Sequence, residues 1–177
     1  AVHRHFAFIA TMIFVLHPIH TEAVANVKGA DEIYSLLWSL LATLSAIHFI
    51  RKKHWVFLFT VGCFLFLALL SKENSIAFVL LIPLSCWFFI RKRNWKSTWQ
   101  ISTTLVGTLI VYLVVRISVI GFDIASDAPS EMMNNPFIKI IDGQYIAFSA
   151  SERWSSVMIG LAKYIQLLFF PHPLTSD

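Results

Sequence analysis

The sequence predicts an all-α, polytopic helical membrane bundle of five or six membrane helices with one outer loop. Three observations predict it. The 177 residues are 57% hydrophobic and only 14% charged, where soluble domains run at about 45–50% and about 25%. The apolar residues gather into runs of roughly membrane-spanning length. The Lys and Arg residues stand in short clusters between those runs, so the net charge of +4 is a topology signal rather than a nucleic-acid footprint.

The helices are expected near 3–17, 33–50, 55–70, 75–90, 98–120 and 153–170, in a single transmembrane domain over 1–177, with the outer loop at 121–152. The first run is short for a span, which needs roughly 20 residues; its flanking His and Arg can snorkel, and Pro18 ends it. The second run ends at Arg51-Lys52-Lys53-His54. The third and fourth are joined by Ser71-Lys72-Glu73-Asn74. At roughly 16 residues, each is near 24 Å long against a hydrocarbon core of about 30 Å, so this turn should sit close to the lipid headgroups. Pro83 lies inside the fourth run, where a membrane helix tolerates it with a kink. The fifth run carries Arg116 near its far end. The sixth, interrupted by Lys163 and Gln166, either spans or lies along the interface as an amphipathic helix. Cys63 and Cys86 stand within apolar runs and read as packing residues.

Helix parity puts the basic clusters at 51–53 and 91–96 on one side, which the excess of Lys and Arg makes cytoplasmic. Residues 17–32, 71–74 and 121–152 then share the opposite side, and every acidic residue from Glu22 to Glu152 falls there. Chemistry is expected at that end.

His17-Pro18-Ile19-His20-Thr21-Glu22 admits three readings: metal ligands, caps on a helix end, or groups that position a polar substrate. Pro18 breaks the helical spacing that sets two His on one face, which argues against the metal. Asp31 and Glu32 precede a helix and either complement its dipole or act as active-site carboxylates. Lys72 and Glu73 are either a solvated hairpin tip or a place where an ammonium meets a lipid phosphate. Arg116 either snorkels or serves function, as intramembrane charges do.

The stretches HPIHTEAV, VKGADE, LLSKENSIAF, NNPF and LLFFPHPLTSD occur in that order. Together they resemble the membrane part of the transmembrane-and-tetratricopeptide-repeat O-mannosyltransferases and their bacterial relatives, which are GT-C-fold glycosyltransferases. The resemblance implies transfer of a sugar (mannose, by the family's name) from a polyprenyl-phosphate donor to a protein hydroxyl at the non-cytoplasmic face. The implied partners are the lipid bilayer, that donor and a protein acceptor, with no nucleic acid and no cofactor. The implied place is a bacterial inner membrane or the endoplasmic reticulum. Lys72 and Arg116 would stabilise charge on the leaving phosphate, with His17 or His20 as hydrogen-bond donors. Glu22 and Asp31 would position the sugar or the loop, and Glu73 belongs to the same substrate-binding set.

Two departures from the family pattern stand out. Ala30 occupies the position where the family commonly has Arg before the Asp of the second motif. The family's first helix and first outer loop, its later helices and its repeat domain have no counterpart. The chain is therefore expected to be a central membrane fragment, inactive alone, with the acid that activates the acceptor lying outside it. The competing class is a non-enzymatic polytopic membrane protein, a transporter or assembly subunit, which would favour polar groups at helix midplanes.

Overall fold

A computed structural model gives the structure over residues 4–90, 95–121, 137–141 and 144–171; the side chains of Arg4, Glu22, Ile120, Ile141, Gln144 and Tyr145 lie outside the described set. The chain divides into two compact units, one of residues 22–121 and the other of residues 1–21 with 122–177.

The 22–121 unit opens with a short helix α2 (Thr21–Ala25) and a 3₁₀ turn, Val27–Gly29. Asn26 caps that turn by accepting from the Lys28 amide at 3.0 Å. Gly29 is required there, because a Cβ would stand 2.4 Å from the Ala23 carbonyl oxygen. Helix α3 (Ala30–Lys52) follows and is longer at both ends than the expected 33–50. Asp31 and Glu32 are thus inside its first turn rather than ahead of it, and Arg51 and Lys52 are in its last, so both ends complement the helix dipole. Lys53 closes the helix in the left-handed region at φ 57°, its amide reaching the Phe49 carbonyl.

Helix α4 (Trp55–Ser71) returns antiparallel, Lys72 is extended, and a 3₁₀ turn (Glu73–Ala77) leads into α5 (Phe78–Phe89). The expected 75–90 helix is therefore a 3₁₀ segment plus an α-helix. Helix α6 (Trp95–Ile120) completes the bundle.

The inner face of α3 is a stripe of small residues, Ser35, Ser39, Ala42 and Ala46, all buried. Small residues let two helix backbones approach closely in lipid, and α3 packs chiefly on α4. Across the bundle, a Cβ at Gly62 of α4 would stand 3.1 Å from Thr108 Oγ1 of α6. Leu65, Leu69, Ile82, Ile101 and Leu105 fill the interior. The outside carries large apolar side chains that nothing in the unit covers, such as Phe59, Leu80 and Phe88. A bundle with serines inside and phenylalanines outside is built for lipid, and the protein is a membrane protein.

Among the described residues two helices are long and apolar enough to cross a bilayer, Val27–Lys52 and Trp95–Val119. Counting the bent pair His5–Leu16 and Pro18–Ala25 as one span makes three, and Trp55–Ser71 and Glu73–Phe89 are shorter apolar helices. By length alone this is fewer than the five or six expected. Cys63 and Cys86 are both free thiols in apolar helices, Cys86 buried.

The other unit contains helix α1 (Arg4–Leu16), the 3₁₀ turn Pro18–His20, a hairpin and helix α7 (Ala150–Phe169). The hairpin pairs β1 (Ile138–Ile141) with β2 (Gln144–Ala147) antiparallel, Ile138 opposite Ala147. The expected outer loop at 121–152 is therefore not loop throughout, while the all-α expectation holds with a two-stranded hairpin added among the described residues. Asp142-Gly143, a dipeptide that favours tight hairpin turns, lies between the strands in sequence. Helix α7 begins at Ser149 in a reciprocal capping box with Glu152. Most of the 121–152 segment and the 91–94 part of the second basic cluster lie outside the described residues, as does 172–177 of the last motif.

Candidate functional site

Lys72 leaves the end of α4 in an extended conformation and Glu73 starts the next turn, so these adjacent side chains diverge. The Lys72 ammonium donates to Glu32 Oε1 and stands 3.5 Å from Asp31 Oδ2, both in the first turn of α3. Glu73 takes a different partner, the Arg116 guanidinium of α6. One turn thereby joins three helices by charge. The sequence leaves a lipid phosphate open as the partner of the Lys72 ammonium. In the structure the anions are two carboxylates of the same chain, because the dipole-favoured acids of α3 end beside the α4 terminus.

Two serines support this end from below. Ser35 Oγ and Ser75 Oγ are 2.6 Å apart, and Ser75 Oγ also donates to the Ala68 carbonyl at 3.0 Å. That carbonyl accepts the Lys72 amide as well, at 2.9 Å, so the frayed end of α4 is satisfied. Asp31 Oδ1 accepts the Glu32 amide at 2.7 Å.

Beside the turn opens a cleft of about 620 Å³. Lys72, Glu73 and Arg116 give it charge, and Leu69, Val115 and Val119 give it an apolar wall. Tyr112, nearly buried at 8% exposed, lines it one helical turn before Arg116. The Glu32 hydrogen bond holds the Lys72 ammonium above its ordinary pKa of 10.5; burial opposes it, and the charges of Glu32 and then Asp31 add to the rise. The group is a fixed cation. An apolar-walled cleft with fixed cations at one rim suits an amphiphile with an anionic head.

Of the residues singled out in the sequence, Asp31, Glu32, Lys72, Glu73 and Arg116 come together here. Tyr112 joins them and is legible as the residue four before Arg116 on a helix, whereas the Glu32–Lys72 pairing depends on helix packing. His17 and His20 belong to the other unit. His17 caps the turn after α1: its Nδ1 accepts from the Ile19 amide at 3.2 Å, so the ring proton sits on Nε2, which reaches the Leu168 carbonyl at 3.1 Å. His20 stacks at a tilt on Phe14, centroids 4.5 Å apart. The Glu22 side chain is outside the described set. Among the described residues no group of three or more His, Cys, Asp or Glu is placed to hold a metal ion.

The protein O-mannosyl-transferase F38B6.6 of Caenorhabditis elegans is 30% identical over 146 residues, which cover 79% of this chain. The protein O-mannosyl-transferase Tmtc3 of Drosophila melanogaster is 32% identical over 157 residues, 65% of this chain. The chain is a homologue of the TMTC-family protein O-mannosyl-transferases. The aligned part spans 19% of the worm protein and 17% of the fly protein. Human protein O-mannosyl-transferase TMTC1 shares 48% identity over a shorter stretch of 42 residues, 24% of the chain. No protein-family model matches the chain, and no solved structure does.

Proposed function

We propose that the full protein to which this chain belongs transfers a sugar from a polyprenyl-phosphate donor to a protein hydroxyl at the non-cytoplasmic face of a membrane. In this reading the chain supplies the donor-phosphate end of the site. The observation that carries it is the turn at Lys72–Glu73, where two cations held by carboxylates stand at the rim of an apolar-walled cleft. The relatives' printed names supply the class of reaction.

The chemistry follows from what the groups can do. As the glycosidic bond to phosphate breaks, negative charge grows on the leaving oxygen, and cations fixed beforehand stabilise it without reorganising. Asp31, Glu32 and Glu73 keep Lys72 and Arg116 charged and aimed before the donor arrives. The arriving phosphate competes for the same donors, and the tail lies along the apolar wall. The acid that activates the acceptor is assigned to a part of the protein outside this chain.

The membrane arrangement that suits this role has α1, α3, α4, α5 and α6 crossing in the GT-C manner, with the basic ends cytoplasmic, in the endoplasmic reticulum or a bacterial inner membrane. Helix α7 lies along the interface: Trp154, Met158, Leu161, Ile165 and Leu168 are exposed at helical spacing, while Ser155, Lys163 and Gln166 fall on the other side of the helix.

The test is mannose transfer from polyprenyl-phosphate mannose to an acceptor polypeptide by the full-length protein. Lys72→Ala should lower turnover by about a hundredfold and weaken donor binding, while Lys72→Arg keeps part of both. Near-normal transfer by a well-folded Lys72→Ala protein would overturn the assignment.

A further inference from the structure

The opposite end of the 22–121 unit is as charged as the candidate site and is built differently. Arg51, Lys52, Lys53 and His54 close α3, and Lys96 stands in the first turn of α6. Neither 33–72 nor 74–121 contains a single Asp or Glu. The unit's described carboxylates, Asp31, Glu32 and Glu73, are engaged by Lys72 and Arg116. Glu32 and Lys52 are 20 residues apart on one helix, about 30 Å at 1.5 Å per residue, which is the thickness of a hydrocarbon core. Among the described residues of this unit, the basic end therefore has no carboxylate within reach.

Its lysines are nonetheless held in place. The Lys52 ammonium lies 5.5 Å from the centroid of the Phe57 ring, whose position is set by stacking with His48, centroids 5.4 Å apart. The Lys53 ammonium lies 5.9 Å from the Phe49 ring and donates to Ser97 Oγ, a buried hydroxyl of α6. A ring face attracts an ammonium without using up its hydrogen-bond donors, so N–H groups remain for an anionic oxygen. Lys53 keeps this position although its backbone is at φ 57°, a left-handed region that strains a non-glycine residue. Around the same end, Trp55 and Trp99 are 69% and 73% exposed, as tryptophans are where a helix meets the headgroup layer.

We propose that this end is a binding site for the phosphate of an anionic phospholipid, held by Lys52 and Lys53 with Arg51 and Lys96 around it. The occupant is a lipid rather than a soluble anion, because the cations stand among exposed tryptophans at the rim of an apolar surface. The inference does not depend on glycosyl transfer, only on the bundle lying in a membrane.

The experiment uses the full-length protein in an uncharged detergent, titrated with phosphatidylglycerol or phosphatidylcholine and followed by native mass spectrometry. Phosphatidylglycerol should bind in preference and be lost as salt rises. Lys52→Gln with Lys53→Gln should weaken it about 25-fold, roughly fivefold for each ammonium, and Lys52→Arg with Lys53→Arg should retain it. Equal binding of the two lipids by the unaltered protein would overturn the proposal. So would undiminished binding by the double Gln variant, or displacement of the lipid by inorganic phosphate.

Discussion

The hydroxyls of Ser35 and Ser75 lie 2.6 Å apart in the interior, 40 residues apart in sequence. Glu32 and Lys72 have the same sequence separation and pair three residues earlier on each side. The buried hydroxyl pair and the charged pair are successive rungs joining the start of α3 to the end of α4, so what happens to one should be felt at the other.

Ser75→Ala removes a bond to Ser35 and a bond to the Ala68 carbonyl, and takes from the buried Ser35 hydroxyl the partner it has here. It should lower stability by about 1–3 kcal/mol. The double variant Ser35→Ala with Ser75→Ala should cost less than the sum of the two single changes, since both report one interaction. Thermal unfolding in detergent, as a double-mutant cycle, measures it.

Gly29→Ala should destabilise the segment ahead of α3. The new methyl would enter the space of the Ala23 carbonyl, which is backbone and cannot swing away. A cost of about 1–3 kcal/mol is expected from such overpacking, with faster proteolysis within 22–32. Gly107→Ala is the control, because a Cβ there meets nothing within 4 Å.

The ion pair at Lys72 predicts an alkaline dependence. Its folded pKa is raised above the ordinary 10.5, so the stabilisation is complete below 10.5 and is lost as pH rises through the folded value. The stability difference between the unaltered protein and Lys72→Met should be constant near neutrality and shrink above pH 10.5. A difference that stayed constant into that range would show that Lys72 stabilises by packing alone.

Glu152 predicts the opposite slope. The Lys139 ammonium, then the Ser149 amide and hydroxyl, hold its carboxyl down to about 2 from an ordinary 4.5. Its contribution to capping α7 and fixing the hairpin is therefore full above 4.5 and lost as pH falls toward 2. Helicity followed by circular dichroism should fall over that window, and Glu152→Gln should remove the part of the transition that belongs to this group.

His17→Ala should cost about 1 kcal/mol through loss of the cap on Ile19 and should release the Leu168 carbonyl at the end of α7. His17→Asn should restore the cap without the second contact. Hydrogen exchange at the Ile19 amide separates the two effects.

What the sequence determined by itself was what repeats locally. Apolar runs between basic clusters identified a helical membrane protein, because burying backbone polar groups in lipid leaves little else than helices. Pro18 ended α1, as a proline must. The order of short motifs pointed to the family in which the homologues are found. The hairpin at 138–147 was also within reach, since Asp142-Gly143 separates two β-rich stretches, but the acids and prolines around it read as loop. Packing decided the rest. Nothing in Ser71-Lys72-Glu73-Asn74 says that Lys72 will turn to Glu32 while Glu73 turns to Arg116. That follows from an extended Lys72 backbone and from α3 and α6 flanking α4, and such pairings join residues about 40 positions apart through the approach of small-residue helix faces. The sequence carries the charges, and the tertiary structure chooses their partners, because side-chain reach is a few ångströms and only helix packing brings the partners within it.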